Sequence, residues 1–367
     1  MVSSQMIAHF TYNLDKYSGA AQQAALVAKT TNIECLFFNH NSSKLKKWKL
    51  TEKIDVVDLP GSFFAQFFII LFYTISRNIK IFHMHGPFRA GLFLAILTRR
   101  KSILKTTLLG EDDFLSLKCS RFGALKTFLA KRVTINVVLS NRLYEINSKF
   151  IPENKILKIP NGVLIPKNAV TLAEKSNSFC FVGLVCPRKR TLESIKYFHK
   201  NYSHIDGAKL YIVGPHSGLE NNTEVSQNYI NTCLEFVRVN KLEHCVVFTE
   251  NLKKEEVFAV YKESKALLFF SEKEGMPNSV LEAMSYNCIP IVTPMEGVMK
   301  EVLEHGSSGF ILENTDSSVP LYLLDDTIES QNSFLNCREK FSIEEVGSKY
   351  LSLYDSLIDF SGKDYAR

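Results

Sequence analysis

Two glutamates, Glu274 and Glu282, stand seven residues apart in a stretch that also holds Gly275, Met276, Pro277, Asn278 and Ser279. The apolar run Ala266–Phe270 precedes them and Ile289–Thr293 follows. That order reads as buried strand, polar loop, helix and buried strand, a βαβ unit whose loop lies at the carboxyl end of a strand. Open α/β sheets bind ligands at that edge. A carboxylate at the loop tip and a second one turn into the helix can both face one ligand there. A plainer reading is also open: Glu282 follows Ser279 by three residues, the spacing of a capping box, and Glu274 is then an ordinary loop charge. His83 and His85, two apart in an apolar run, face one side of a strand. They lack a third ligand at matching spacing, so no metal is expected.

The elements that would hold these residues alternate along the whole chain. Strands are expected at 6–10, 33–38, 54–59, 80–83, 103–108 and 135–139, with helices at 20–29, 63–76, 90–97, 122–131 and 141–147. A polar stretch, Thr171–Ser178, has linker composition. Further strands are expected at 179–185, 209–213, 245–248, 266–270, 289–292 and 309–312. Such alternation implies parallel, doubly wound sheets. The fold class is therefore α/β, with two Rossmann-like domains, 1–170 and 171–342, facing across a cleft. The length of 367 residues exceeds what one hydrophobic core of about 250–300 residues supports.

The eight cysteines form no CxxC pair, and several, such as Cys180 and Cys245, sit in apolar strands. They read as reduced, buried thiols. The opening residues lack the basic segment and apolar core of a secretory signal, so a cytoplasmic chain is expected. The stretch Phe63–Ile75 is intensely apolar but only 13 residues long, short of the roughly 20 needed to cross a bilayer. A core helix packed on the sheet is expected. Arg77 and Lys80 close behind it leave an interfacial role open.

Charge divides unevenly. Of 44 basic and 38 acidic residues, 24 and 10 fall before residue 171, leaving 20 and 28 after it. The basic excess gathers at Lys44, Lys46, Lys47 and Lys49 and at Arg99, Arg100, Lys101 and Lys105. A basic first half suits a polyanion or an anionic membrane surface; plain solvated lysine is the alternative. Nothing interleaves aromatic and basic residues convincingly, so nucleic acid is not expected as a partner.

The stretch Glu-Gly-x-Pro-Asn-x-x-x-Glu-Ala-Met beginning at Glu274 resembles the donor-binding signature of the retaining glycosyltransferases of family four, which have the GT-B fold. The resemblance implies that Glu274 lies beside the donor sugar and that Glu282 hydrogen-bonds the ribose hydroxyls, with Gly275, Met276, Asn278 and Ser279 around the donor. Phe181-Val182-Gly183 followed by Pro187-Arg188-Lys189-Arg190 resembles the family's phosphate grip, with Lys189 at the expected interval from Gly183. Positive charge is needed there because the nucleoside diphosphate gains negative charge as it leaves. Leu184 replaces the family's arginine, a place that Arg188 or Arg190 can fill. Tyr17-Ser18-Gly19-Ala20 is similar to a small-residue loop under the donor phosphate, where Gly19 permits close approach. His83-x-His85, Pro160-Asn161-Gly162-Val163, Val213-Gly214-Pro215, Glu250-Asn251 and the stretch Gly297 to Glu301 resemble further family elements. Of these, Pro160-Asn161-Gly162-Val163 is expected to form a tight turn.

A second departure is Leu109, where many relatives have a histidine near the reacting sugar. Asp112 or Asp113 remains as a candidate base. The resemblance implies transfer of a hexose-type sugar from a nucleotide-diphosphate donor, UDP- or GDP-linked, to a glycan or lipid-linked acceptor. The departing phosphate itself would take the acceptor proton, with no metal or other cofactor. It also implies that the helix at about 343–360 packs back on the first domain, and a place at the inner face of the membrane is open. The alternatives are a non-catalytic partner subunit of the same fold and an enzyme acting on another polyanionic acceptor.

Overall fold

The computed structural model describes residues 6–14, 18–40, 45–215, 224–250 and 252–363. The chain forms two compact units, one ending at Gly162 and resuming at Ile343, the other spanning Val163–Ser342.

The first unit holds β1 (Met6–Tyr12), β2 (Cys35–His40), β3 (Lys46–Thr51), β4 (Ile54–Leu59), β5 (Ile79–His85), β6 (Lys101–Thr106), β7 (Ile135–Val138) and β8 (Ile156–Lys158). They pair in the order β3-β4-β2-β1-β5-β6-β7-β8. Every neighbouring pair is parallel except β3–β4. The central strands are buried on both faces, which is why they read as continuous apolar runs. β3 was not expected as a strand: its lysines Lys46, Lys47 and Lys49 read as a charge cluster. They are the edge of the sheet, and lysines along an edge discourage pairing with other chains. Trp48 anchors that edge, donating Nε1–H to Asp58 at 3.1 Å. Lys44 and Asn251 lie outside the described residues.

The helix Ile343–Lys363 completes this unit. Its Ile343, Val346, Tyr350, Leu353 and Tyr354 join Ile7, Phe37, Ile81 and Val137 in one core cluster. It packs against the helix Gly19–Thr31, and a Cβ on Gly347 would stand 2.9 Å from Thr30 Cγ2.

The division between units falls at 162/163 rather than 170/171, and Thr171–Ser178 is not a linker. Val163 already donates its N–H to Phe341 O at 2.8 Å. Asn287 Nδ2 holds Val170 O at 2.9 Å, and Lys175 Nζ bonds the carbonyls of Tyr261 and Tyr286 at 3.0 Å each. These bonds fix residues 163–178 on the second unit. Residues 160–163 form no tight turn either. Gln23 pairs with both the N–H and the C=O of Gly162, at 3.0 and 2.8 Å, which keeps that segment extended.

The second unit holds β9 (Ser178–Val182), β10 (Lys209–Val213), β11 (Val246–Thr249), β12 (Ser264–Phe269), β13 (Ile289–Val292) and β14 (Phe310–Ile311). All pairs are parallel, in the order β11-β10-β9-β12-β13-β14. Counted within the sheet this is 3-2-1-4-5-6, the doubly wound order whose direction reverses between its first and fourth strands.

Gly347→Leu should lower the unfolding free energy by about 1–3 kcal/mol, the usual penalty of overpacking. Gly61→Ala, where nothing lies within 4 Å of an added Cβ, should leave it unchanged. Thermal melts followed by circular dichroism compare the two, and equal melting points would mean that the helix–helix approach at Gly347 is slack.

Candidate functional site

The reversal in the second sheet lies between β9 and β12, the position at whose carboxyl edge open α/β sheets bind ligands. The β9 loop carries Pro187–Arg190 and the β12 loop carries Ser271–Pro277. They are stapled by backbone: Glu272 N–H donates to Arg188 O at 2.9 Å, and Ser271 Oγ reaches the same carbonyl at 3.3 Å.

Charge then converges on one oxygen. Glu274 Oε1 accepts from Lys189 Nζ, from Arg188 Nη1 at 3.1 Å and from Ser271 Oγ at 2.7 Å. The side chains of Glu274 and Lys189 are only 10% and 15% exposed. The Arg188 guanidinium also clasps Glu224 Oε2 through Nη2 at 2.7 Å and Nε at 3.2 Å. Burial alone would lower the pKa of Arg188; Glu274 and Glu224 outweigh it and hold the group above its usual value. The Lys189 ammonium lies 4.8 Å from the centre of the Phe269 ring. Arg190 leaves this cluster. Its backbone is left-handed, with φ 52°, and its side chain pairs with exposed Glu272 at 3.2 Å.

Gly183 closes the end of β9, donating its N–H to Val213 O at 2.9 Å. The tight contact belongs to Gly214, where a Cβ would stand 1.9 Å from Gly183 O. Leu184 is half-buried beside this turn.

Glu282 lies in the helix Asn278–Ser285, whose N-cap is Pro277. Ser279 is therefore the second helical residue, and no capping box with Glu282 forms. The Glu282 carboxylate faces Lys254 Nζ at 3.5 Å. Burial raises its pKa, against the opposing pull of Lys254 and of Tyr261. The Tyr261 hydroxyl is buried without a hydrogen-bond partner of good geometry; burial foremost, then the Glu282 charge, pushes its pKa up. The two glutamates thus serve separate clusters, Glu274 toward Arg188 and Lys189, Glu282 toward Lys254. Gly275 and Met276 are buried between them, and Asn278 and Ser279 are half-buried in the first helical turn.

The chain after β13 adds a feature that the sequence did not disclose. Met295, Glu296 and Gly297 take successive positive φ values of 48°, 55° and 91°. Such strain in non-glycine residues persists where surrounding structure enforces it and clusters at functional sites. Thr293 Oγ1 ties this segment to the β12 loop through Ser271 O at 3.2 Å. Glu224, Ser271 and Lys254 were missed as well. They are ordinary polar residues whose roles depend on contacts across the fold.

In the first unit the reversal lies between β1 and β5. Gly19 opens the helix after β1, capped by Ser18 Oγ, which accepts from Ala21 N–H at 3.4 Å; Tyr17 lies outside the described residues. His83 and His85 on β5 meet a third histidine, His9, the register partner of His83 on β1. All three are buried, with donor atoms within 4.8 Å of one another. His9 Nδ1 and His85 Nε2 lie 3.1 Å apart, and His83 Nδ1 meets the Tyr354 hydroxyl at 2.8 Å. The rings pack as a stack, with His83 on His85 at 4.2 Å and His9 on Phe37 at 4.7 Å. Burial holds the imidazoles neutral, taking His9 down to about 3. Beside them Lys105 is buried, donates to Asn161 Oδ1 at 3.0 Å, and is pushed down by burial to about 7.

Asp112 and Asp113 hold the loop after β6. Asp112 accepts from Thr107 N–H and Oγ1 at 2.7 Å each and from Leu108 N–H at 2.8 Å; burial pushes it up to about 6. Asp113 caps the helix Phe114–Cys119, accepting from Ser116 N–H at 2.9 Å, and also binds Gly110 N–H at 2.7 Å. Leu109, in the same loop ahead of both aspartates, is buried.

The two doubly wound sheets, together with the likenesses that follow, give the chain the GT-B fold. Residues 164–341 match the family model described as glycosyl transferases group 1. The match covers the second unit, where the charge cluster lies. The chain is 26% identical over 314 residues to N-acetyl-alpha-D-glucosaminyl L-malate synthase of Bacillus anthracis, covering 78% of each chain. It is 24% identical over 240 residues to the capsular polysaccharide biosynthesis glycosyltransferase CapH of Staphylococcus aureus, covering 59% of this chain and 60% of that one. The crystal structure of Anabaena Alr3699/HepE in complex with UDP and glucose superposes with a TM-score of 0.73 at 14% identity, over 96% of this chain and 100% of that one.

Lys105 sets a pH dependence whose sign follows from its two states. Unfolded, it holds its proton up to about 10.5; folded, it releases it near 7. The stability that neutral Lys105 contributes is therefore complete above about 10.5 and lost as pH falls toward 7, at up to about 1.4 kcal/mol per pH unit. Denaturant titrations between these limits should show this slope in the wild type and a flatter one in Lys105→Met. Parallel slopes would mean that Lys105 stays protonated in the fold.

Proposed function

We propose that this protein is a retaining glycosyltransferase that moves a hexose-type sugar from a UDP-linked donor to a glycan or lipid-linked acceptor in polysaccharide or glycoconjugate synthesis. The observation that carries the reading is the convergence of Arg188, Lys189 and Glu274 at the strand reversal of the unit that matches the glycosyl transferases group 1 model. The choice of UDP leans on HepE, whose structure is in complex with UDP and glucose. Polysaccharide synthesis leans on the name of CapH.

In this reading Lys189 and Arg188 neutralise the diphosphate as it departs, the role for which pre-placed cations in a dry site are most effective. Without donor, Glu274 satisfies both cations; with donor bound, they are shared between the carboxylate and the phosphates. Glu274 thereby sits beside the donor sugar. Glu282, poised by Lys254, accepts the ribose hydroxyls, and Asn278 and Ser279 present the first turn of their helix to the donor. The acceptor proton passes to the leaving phosphate, with charge neutralised by side chains rather than by a metal. Asp112, with its carboxylate committed to the Thr107–Leu108 turn, shapes the acceptor loop instead of removing the proton. Leu184 and Leu109 favour one second reading, a partner subunit that keeps the fold without turnover.

Thermal-shift measurements against UDP-, GDP-, ADP-, CMP- and dTDP-linked sugars test the donor. A ligand at 100 times its Kd adds about 2.7 kcal/mol to the folded state. A UDP-sugar should raise the melting temperature of the wild type but not of Glu282→Ala. Lys189→Ala should lower kcat by about 100-fold or more. Turnover should persist in EDTA and keep the donor's anomeric configuration by NMR. Absence of any shift would favour the partner-subunit reading; an inverted product would remove the retaining mechanism.

A further inference from the structure

The helix Phe63–Ser76 is inside out. The residues it buries are Gln66, Ile70, Tyr73 and Thr74. Gln66 Nε2 lies 2.8 Å from His40 Nδ1 and donates to Pro60 O at 2.7 Å. Its outward side carries Phe64, Phe68, Phe72 and Ile75, which are 73%, 64%, 63% and 69% exposed. Their spacing of four, four and three residues lines them along one stripe. The expectation of a core helix therefore holds for one narrow face only, and the phenylalanines point away from the sheet.

The stripe continues onto neighbouring helices. Phe67 meets Phe93 of the helix Arg89–Leu97 at 6.0 Å between ring centres, and that helix exposes Phe93, Ile96 and Leu97. It packs in turn on the helix Gly123–Ala130, which exposes Leu125 and Phe128 next to exposed Phe122. Monomeric soluble proteins seldom expose a contiguous apolar face of this kind without a use for it.

Charge decides the occupant. Between residues 61 and 132 there are 12 basic residues, of which Lys105 is buried, and 3 acidic ones. Two of the acids, Asp112 and Asp113, are buried, so Glu111 alone is exposed. Arg132 lies over the Phe128 ring at 3.5 Å and Arg121 beside Phe122 at 5.2 Å, which places cations at the level of the exposed aromatics. A second copy of the chain meeting this face symmetrically would set the basic rim against itself. Among the described residues no helix is long and apolar enough to cross a membrane. An apolar stripe flanked by arginine and lysine on helices too short to span is the pattern of an element lying in the headgroup layer of an anionic bilayer.

We propose that the outward face of helices Phe63–Ser76, Arg89–Leu97 and Gly123–Ala130 docks the first unit on an anionic lipid surface, with the phenylalanines inserted and the arginines among the phosphates. This deepens the acceptor half of the transferase reading, but it uses no residue of the second unit. Co-sedimentation of the full chain with vesicles of phosphatidylcholine alone, or mixed with phosphatidylglycerol, tests it. The wild type should bind the mixed vesicles at least about tenfold more tightly, and added salt should weaken that binding. Phe64→Ser/Phe68→Ser/Phe72→Ser should lose roughly tenfold or more of the binding, and Arg121→Glu/Arg132→Glu should abolish the preference for phosphatidylglycerol. Both variants should keep the wild-type melting temperature and donor-induced shift, because every substituted side chain is exposed. Equal partitioning of wild type and triple variant would overturn the proposal. So would a wild-type dimer, seen by analytical ultracentrifugation, that the triple variant dissolves while vesicles bind neither. Failure of the donor shift with vesicle binding intact would count against the transferase reading alone.

Discussion

A single carboxylate oxygen, Glu274 Oε1, holds the working edge of the second unit together. Three donors from two loops meet on it, and the backbone staples between Glu272, Ser271 and Arg188 depend on those loops staying in register. Removing one member of a half-buried cluster leaves an uncompensated charge, which is far more damaging than the net worth of the pair. The cluster is therefore rigid in composition but soft in partnership: its cations can exchange a carboxylate for another anion without any loop having to move far. That property suits a site built to receive and release a charged group.

The two sheets share a design and differ in what fills it. Each reverses direction next to its first strand, and each gathers polar side chains there. In the second unit those side chains are charged and partly open to solvent. In the first, the corresponding strands present three neutral histidines, a depressed lysine and a loop-bound aspartate, all enclosed. The first unit uses its polar groups to fix the shape of its carboxyl edge and turns its apolar surplus outward on helices. The charged edge and the outward apolar face thus belong to different layers of similar folds.

Much of this was legible in the residues, for identifiable reasons. Strands buried on both faces announce themselves as apolar runs, so β4, β10 and β13 match their expected limits residue for residue. The glutamate pair and Lys189 were singled out because short local motifs resemble those of a known family; the structure sets Lys189 against Glu274 and leaves Glu282 with Lys254. What escaped depended on partners remote in sequence. β3 was hidden because an edge strand need not be apolar. His9 was invisible as a companion of His83 until strand register placed them side by side. The capping box that the Ser279–Glu282 spacing left open does not form, because Pro277, not Ser279, is the N-cap. The helix Phe63–Ser76 was placed correctly in sequence, yet its periodicity was masked by apolar residues all round; only Gln66 and Thr74, the polar residues that turn inward, reveal its true inner face.

The return of the chain through Ile343–Lys363 has a consequence for how the molecule is made. The first unit's core draws on Ile343, Val346, Tyr350 and Leu353, so it lacks a wall until the helix Ile343–Lys363 has left the ribosome. Chains are extended at about 5–20 residues per second. The 180 residues of Val163–Ser342 therefore separate the last strand of the first sheet from its closing helix by about 9–36 seconds. Only at the end of that interval does the second unit have all of its own sequence, and it can then fold outright. The first must wait with Ile7, Phe37 and Tyr350's future neighbours uncovered. In this chain the half made first is the half finished last.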